Sequence, residues 1–190
     1  MINQVEDILA KSEALLTGHF LYTSGRHGEK YMQCAKIQQY PEHMEAVAKI
    51  VAEGFNGDKP DFVLSPAIGG IIFGYELARQ VKAKAVFTER VDGKMTLRRG
   101  FEIPKGARVI VAEDVTTTGG TVREVIEIAN EIGANVIGVG LIVDRSGGKI
   151  DFGTKTVAAL SKEIISYTPE ECPLCKEGQP VVKPGSRGLT

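Results

Sequence analysis

The middle of the chain alternates between two hydrophobic periods. Apolar residues recur every three or four positions in EHMEAVAKIVAEGF (residues 42–55), which predicts a helix with Met44, Val47, Ile50 and Val51 on one face. Residues 71–81 and 121–132 predict two more helices. Short apolar runs typical of buried strands alternate with them, at residues 61–64, 85–88, 108–112, 135–143 and 156–160.

This order, β-α-β-β-α-β in outline, predicts an α/β fold with a mostly parallel sheet flanked by helices. The polar segment ERVDGKMTLRRGFEIPKGA (residues 89–107) joins two strands without a helix, so we expect it to be a hairpin or a long loop.

The length of the chain indicates the number of domains, and its net charge indicates which classes of partner are unfavourable. The chain has 190 residues, the size of one compact domain, and its 23 basic and 24 acidic residues nearly cancel. Nothing in this balance favours nucleic acid or an anionic membrane as a partner. The N-terminus lacks the pattern of a signal peptide, and no stretch approaches the roughly 18 apolar residues of a membrane span. We therefore expect a cytoplasmic protein.

The three cysteines, Cys34, Cys172 and Cys175, do not form a disulfide framework. Cys172 and Cys175 make one C-x-x-C in ECPLCKEG, which is half of a structural zinc site, and no second pair of ligands follows nearby in the sequence. We expect two reduced thiols in a C-terminal tail. A metal shared between subunits and a redox pair remain alternatives.

Ligands of open parallel sheets bind beyond the carboxyl ends of the strands. Three segments leave predicted strands at that edge, namely SPAIGG (65–70), AEDVTTTGGT (112–121) and VDRSGG (143–148). All three are therefore candidates for one site.

The segment AEDVTTTGGT has the chemistry of a phosphate site. Threonine hydroxyls and free backbone N–H groups converge at the positive end of the following helix, and the two glycines let the backbone approach a ligand. The preceding carboxylates of Glu113 and Asp114 can accept hydrogen bonds from sugar hydroxyls or hold a divalent cation. Together these features predict a ribose 5-phosphate site. An acidic strand end followed by an ordinary helix cap is the alternative.

Other nucleotide loops do not fit the chain. No G-x-x-x-x-G-K-[ST] is present, and the G-V-G at residues 138–140 lies inside an apolar strand without a third glycine.

The stretch EDVTTTGGT (113–121) resembles the phosphoribosyl-pyrophosphate (PRPP) signature of type I phosphoribosyltransferases. The resemblance implies that the acids hold the ribose and that the loop holds the 5-phosphate. By position, the implied PRPP contacts are Glu113, Asp114, Val115, Thr116, Thr117, Thr118, Gly119, Gly120 and Thr121.

Four elements in order resemble orotate phosphoribosyltransferases in particular. GHFLYTSGRHGEKYMQCAKI (18–37) is similar to their small N-terminal hood, and SPAIGG to their pyrophosphate loop. ERVDGKMTLRRGFE is similar to their mobile catalytic loop, and Asp144-Arg145 to the motif whose arginine meets the orotate carboxylate. The guanidinium fork of arginine suits a carboxylate in two hydrogen bonds.

The resemblance assigns roles by residue. The implied orotate contacts are Tyr31, Met32, Thr117 and Arg145, and the implied pyrophosphate loop is Ala67, Ile68, Gly69 and Gly70. The implied PRPP contacts from the mobile loop are Arg90, Lys94, Arg98 and Arg99, with catalytic roles for Lys94, Arg90 and Asp114.

Some positions depart from the bacterial pattern. Tyr22 or Thr23 stands where a lysine precedes S-G-R, SPAIGG has no lysine, and the mobile loop has no histidine. Lys94, Arg98 and Arg99 would supply the missing charge.

The implied reaction converts orotate and PRPP to orotidine 5'-monophosphate and pyrophosphate, in de novo pyrimidine biosynthesis. The implied cofactor is Mg²⁺, held mainly by PRPP and water rather than by side chains. The implied assembly is a homodimer whose mobile loop, residues 89–103, closes over the neighbour's site and is splayed when empty. A purine phosphoribosyltransferase and a non-catalytic PRPP-sensing regulator remain the alternatives.

The predicted organisation is an N-terminal helix and hood over residues 1–40, an α/β core over 41–165 and a C-terminal tail over 166–190.

Overall fold

A computed structural model describes residues 2–22 and 24–184. Thr23, one of the two departures named for the hood, lies outside them. The elements in chain order are α1 (Ile2–Lys11), β1 (Leu15–Leu21), β2 (His27–Met32), α2 (Ala35–Gln38), α3 (Pro41–Glu53), β3 (Phe62–Pro66), α4 (Gly70–Val81), β4 (Lys84–Val91), β5 (Lys94–Leu97), β6 (Arg108–Thr116), α5 (Gly120–Glu131), β7 (Asn135–Asp144), β8 (Thr156–Ser161) and α6 (Pro173–Lys176).

Six strands form one sheet in the order β5-β4-β3-β6-β7-β8. Within this order, the neighbouring strands β4, β3, β6, β7 and β8 are parallel to one another. Among these six strands, only β5 runs antiparallel to its neighbour, β4. The predicted α/β fold is confirmed. Both β4 and β6 run past the apolar stretches that predicted them, because their polar ends still pair with β5 and β7.

Helices cover both faces of this sheet. On one face α1, α3 and α4 bury a core that includes Val5, Val47 and Phe73, and on the other α5 packs Val122 and Val125 against the sheet. The predicted face of α3 is buried at Met44, Val47 and Val51, while Ile50 packs at its margin. Each large buried side chain contributes about 1.5–3 kcal/mol, so these layers fix the strand ends in place.

Residues 84–97 form a hairpin that consists of β4, a tight turn and β5. Asp92 and Gly93 form its turn with φ of 49° and 81°, the left-handed pair that a two-residue hairpin turn requires. Glu89 on β4 pairs with both Arg98 and Arg99. This part of the predicted mobile loop is therefore an ordered hairpin here rather than a splayed segment, because strand pairing and ion pairs hold it.

The strands β1 and β2 form a separate antiparallel hairpin, which is the predicted hood. The segment after β8 runs back along it: Tyr167 bridges to His27, and Val182 bridges to Phe20. Cys172 is fully buried by this packing. Residues 162–184 are thus part of the packed structure, whereas the rest of the predicted tail, 185–190, lies outside the described residues.

None of the described helices is long and apolar enough to cross a membrane.

Candidate functional site

A cavity of about 540 Å³ lies where the hood hairpin faces the carboxyl ends of β6 and β7. This volume is in the usual range for small-molecule sites. Seven of the residues predicted for substrate binding line it, namely Tyr31, Met32, Val115, Thr117, Thr118, Thr121 and Arg145.

The turn between β6 and α5 has the geometry of an anion cradle. Thr117 and Thr118 are exposed beside the cavity, and α5 begins at Gly120 with its first backbone N–H groups free of helical partners. Gly119 has φ of 80°, and a Cβ there would lie 2.7 Å from the ring of Phe152. Only glycine therefore fits at this point of the turn.

The two acids at the end of β6 sit in different surroundings. Glu113 is buried, and burial together with the neighbouring Asp114 carboxylate raises its pKa well above the usual value. Burial also raises the pKa of Asp114, although the Val115 N–H donates to its Oδ1 at 2.8 Å and opposes that shift. Asp114 is the more exposed of the two, so it is the carboxylate better placed to meet a ligand.

The predicted pyrophosphate loop lies against this acid. A Cβ added at Gly69 would come within 2.8 Å of Asp114 Oδ2, so the absence of a side chain lets the loop close on the carboxylate. The Gln38 amide donates to the Gly69 carbonyl at 2.6 Å. Of the predicted members, Ile68 and Gly69 are exposed, Ala67 is half-buried and Gly70 is buried.

Arg145 packs against Tyr22, while one of its guanidinium N–H groups has no partner among the described residues. Its guanidinium carbon lies 4.5 Å from the centre of the Tyr22 ring. Its Nε is buried and has no hydrogen-bond partner among residues 2–22 and 24–184. Burying an N–H without an acceptor is costly. Arg145 also lines the cavity, so its guanidinium can meet an anionic ligand there.

The turn that carries Arg145 is organised by the carboxylate of Asp144. Its Oδ1 accepts from the backbone N–H and hydroxyl of Ser146, and its Oδ2 accepts from the Gly148 N–H and the Ser161 hydroxyl. Burial raises the pKa of Asp144, but these hydrogen bonds outweigh burial and leave it lowered. Asp144 is therefore an ionised, buried anchor beside the arginine.

Tyr22 and Tyr31 of the hood are both affected by burial and by the charge of Arg145. Burial raises the pKa of Tyr22 and of Tyr31, and the positive charge of Arg145 partly offsets the shift in each case. Both phenols therefore stay neutral beside the arginine.

The basic residues of the predicted mobile loop do not line the cavity in this conformation. Arg90 pairs with Glu124, and Arg98 and Arg99 pair with Glu89. Lys94 is exposed. In the part of the chain that the structure describes, none of the four lines the 540 Å³ cavity, so the structure does not join them to the other predicted site residues.

The cavity also has lining residues that were not predicted. Tyr22, Arg26, Ser166 and Lys183 are among them. Ser166 and Lys183 come from the segment after β8, and Arg26 donates to both the hydroxyl and the carbonyl of Ser166 across 140 positions of sequence. No local pattern signals a contact over that separation. Tyr22 had a signal of another kind, since it stands near the place of the lysine that precedes S-G-R in the resembled family.

Comparisons with known proteins agree with this geometry. Residues 33–165 match the phosphoribosyl transferase domain. An orotate phosphoribosyltransferase of Caldanaerobacter subterraneus subsp. tengcongensis is 56% identical over 186 residues, covering 98% of each chain.

Two solved structures share the fold. The orotate phosphoribosyltransferase of Aeropyrum pernix has a TM-score of 0.68 at 24% identity, over 83% of this chain and 93% of that one. The adenine phosphoribosyltransferase of Saccharomyces cerevisiae has a TM-score of 0.66 at 17% identity, over 84% of this chain and 100% of that one. The fold alone therefore does not select the base, whereas the full-length sequence similarity does. The chain belongs to the phosphoribosyl transferase domain family and, within it, to the orotate phosphoribosyltransferases.

Proposed function

We propose that the protein transfers the 5-phosphoribosyl group of PRPP to orotate, giving orotidine 5'-monophosphate and pyrophosphate in de novo pyrimidine biosynthesis. The observation that carries the proposal is that Arg145 lines the same cavity as the Thr117–Thr121 turn. The cavity thus joins a site for a carboxylate to a site for a phosphate.

The phosphate end of the cavity suits the ribose 5-phosphate. The hydroxyls of Thr117, Thr118 and Thr121 and the start of α5 supply donors, and the loop formed by Ala67–Gly70 stands beside Asp114 for the pyrophosphate side. Asp114 accepts hydrogen bonds from the ribose hydroxyls in this proposal. Glu113 is buried next to Asp114 and has a raised pKa, and its Oε1 accepts a hydrogen bond from the Asp114 backbone N–H at 3.3 Å.

The other end of the cavity suits orotate, a flat pyrimidine that carries a carboxylate. Arg145 offers its guanidinium fork to that carboxylate, and Tyr31 and Met32 form the wall for the ring. Tyr22, which also lines the cavity, packs its ring against the guanidinium and restricts its movement.

No side-chain nucleophile is needed for this reaction. The bond between the anomeric carbon and pyrophosphate breaks through a cationic sugar, so the protein contributes by holding two reactants in line and by stabilising the charge of the leaving group. We infer that Lys94 and Arg90, with Arg98 and Arg99, supply the positive charge for the leaving group once the β4–β5 hairpin closes on a site.

The site fits Mg²⁺ carried by the substrate better than Mg²⁺ held by the protein. Mg²⁺ prefers several oxygen ligands, and burial raises the pKa of both Glu113 and Asp114, so neither carboxylate is a ready ligand. PRPP oxygens and water would therefore supply the coordination of the ion. The ion would neutralise charge on the pyrophosphate.

We further propose a homodimer in which the hairpin serves the neighbour's site. Two observations support it. First, Lys94 and Arg90 do not line the cavity of their own chain. Second, Ile68 of the Ala67–Gly70 loop and Ile72 and Tyr75 of α4 are exposed apolar side chains, at 85%, 48% and 68% exposure, and form a stripe that includes the loop. A stripe of this kind beside a functional loop is what a second copy would cover. The anionic, membrane-impermeant substrates support a cytoplasmic location.

Product analysis tests the proposed reaction. The purified protein is incubated with PRPP and, in separate reactions, with orotate, adenine, guanine or xanthine, each with Mg²⁺ and with EDTA. We expect orotidine 5'-monophosphate from orotate alone, and only with Mg²⁺. Turnover of a purine instead would show a purine phosphoribosyltransferase, and turnover of no base would favour a PRPP sensor.

A further inference from the structure

Two histidines of the hood and the two cysteines of the C-x-x-C meet away from the substrate cavity. His19 on β1 and His27 on β2 face Cys172 and Cys175, and the four potential ligand atoms all lie within 4.8 Å of one another. The two pairs are separated by about 150 positions of sequence, with 148 between His27 and Cys175. The second ligand pair, which the sequence around the C-x-x-C does not contain, is therefore supplied by the fold.

The measured separations match the edges of a zinc tetrahedron. Zn–N bonds of about 2.0 Å and Zn–S bonds of about 2.3 Å give edges of about 3.3 Å between two nitrogens and about 3.5 Å between nitrogen and sulfur. His19 Nε2 lies 3.5 Å from Cys172 Sγ and 3.6 Å from Cys175 Sγ. His27 Nδ1 lies 3.2 Å from Cys175 Sγ and 2.9 Å from His19 Nε2. Shifts of a few tenths of an ångström would centre an ion among them.

A second contact sets the correct tautomer of His19. Its Nδ1 lies 2.8 Å from the backbone carbonyl of Gln179. Because a carbonyl can only accept, Nδ1 carries the proton and Nε2 keeps its lone pair toward the two cysteines and His27. Histidines that bind metals are commonly oriented in this way by a carbonyl on the other ring nitrogen.

Burial also fits an ion better than free thiols. Cys172 is 0% exposed, His19 4% and His27 7%. Two thiolates, two neutral imidazoles and one Zn²⁺ have no net charge, so the complex can be buried without an unpaired charge. A set of two sulfur and two nitrogen ligands at tetrahedral separations is typical of zinc.

We propose that His19, His27, Cys172 and Cys175 bind one structural Zn²⁺ ion. The ion would fasten the segment after β8 to the hood. That hood carries Tyr22, Tyr31 and Met32 of the cavity wall, so the ion would stabilise the wall without touching the substrates.

Metal analysis of the whole protein, made without a histidine tag, tests this proposal independently of activity. We expect about one zinc per chain in reduced protein, and loss of most of it in Cys172→Ser, Cys175→Ser and His27→Gln. The chain offers matched controls, because its third cysteine and third histidine lie outside the cluster. Cys34→Ala and His43→Asn should keep the full zinc content.

Unfolding of a variant could also release zinc, so a measurement on the wild-type chain is needed. Chelated protein is titrated with Zn²⁺, with Mg²⁺ and with Co²⁺. Zn²⁺ should restore the melting temperature lost on chelation and Mg²⁺ should not, and Co²⁺ should give the absorption of tetrahedral cobalt bound to thiolate. Absence of stoichiometric Zn²⁺ binding by reduced wild-type protein, or a Co²⁺ spectrum without thiolate ligation, would overturn the proposal.

Discussion

Arg145 shows how one side chain is prepared for a ligand at the expense of the free protein. Its plane is fixed against Tyr22, its turn is fixed by Asp144, and yet its Nε has no acceptor among the described residues. Leaving a buried donor unpaired costs about 1–3 kcal/mol. Because Arg145 also lines the cavity, a carboxylate that enters the cavity can pair with its guanidinium, and this interaction favours an anionic base.

Replacing Arg145 should therefore affect one substrate far more than the other. We expect Arg145→Ala to raise the KM for orotate about 100-fold, because about 3 kcal/mol of charged hydrogen bonding is lost, and to change the KM for PRPP little. Arg145→Lys should recover only part of the loss, since lysine keeps the charge without the fork. Initial rates with each substrate varied in turn measure this, and equal effects on both substrates would contradict the assignment.

At the scale of elements, the start of α5 depends on Gly119, which has a left-handed conformation. Gly119→Ala adds a Cβ 2.7 Å from Phe152 at φ of 80°, so we expect it to lower the free energy of unfolding by about 2 kcal/mol. Gly120→Ala is the matched control. A Cβ at Gly120 would meet nothing nearer than 4.0 Å, and the backbone of Gly120 does not have a positive φ. Urea unfolding of both variants distinguishes them, and equal stability would show that the turn relaxes around the added methyl.

The turn after β7 depends on the ionised form of Asp144. Because its pKa is lowered in the folded protein, its contribution is complete above the unfolded pKa of about 3.9 and is lost as the pH falls through the folded pKa. Asp144→Asn should be less stable at pH 7 and should lose less stability on acidification than the wild type. Unfolding free energies between pH 7 and pH 3 measure the slope. Asp151→Asn, at an exposed site that accepts one N–H bond, is the matched aspartate-to-asparagine control.

Contiguous elements could be predicted from the sequence, whereas contacts between distant segments could not. The turn from β6 to α5 was predictable because its strand, its glycine and its helix follow one another within about twenty residues. Lys183 in the cavity wall and the pairing of His19 with Cys172 depend on how the segment after β8 returns to the hood. Local periodicity carries no information about that return, since it is fixed by tertiary packing.

The hairpin of β4 and β5 illustrates the same limit. Its Asp92-Gly93 turn is a strong local signal and forms as such a signal indicates. Whether it opens was not predictable, because the ion pairs of Glu89 with Arg98 and Arg99 depend on the register of the hairpin.

For the whole molecule, the proposed dimer makes a prediction that a single chain cannot meet. Asp114→Asn and Lys94→Ala are prepared separately, and each is expected to be nearly inactive. If each site combines Asp114 of one chain with Lys94 of the other, a hybrid dimer has one site with both changes and one with neither. Refolding the two variants together at equal amounts should therefore restore about a quarter of wild-type activity.

The same mixture distinguishes the alternative in which the hairpin serves its own chain. Every site of every hybrid then carries one change, and mixing restores nothing. Light scattering before and after mixing controls for assembly, and each variant refolded alone controls for recovery.

The bridges between the hood and the segment after β8 also have a consequence for how the protein is made. His27 exchanges two backbone hydrogen bonds with Tyr167, and Val182 bonds to both His19 and Leu21. The hood lies near the N-terminus and therefore leaves the ribosome early. Because a two-stranded hairpin alone is only marginally stable, the hood stays incomplete until the segment after β8 has been translated. At 5–20 residues per second, a delay of 140 residues lasts on the order of 10 s. During that time the α/β layers can form around an open cavity, and the wall that faces the base is the last part to close.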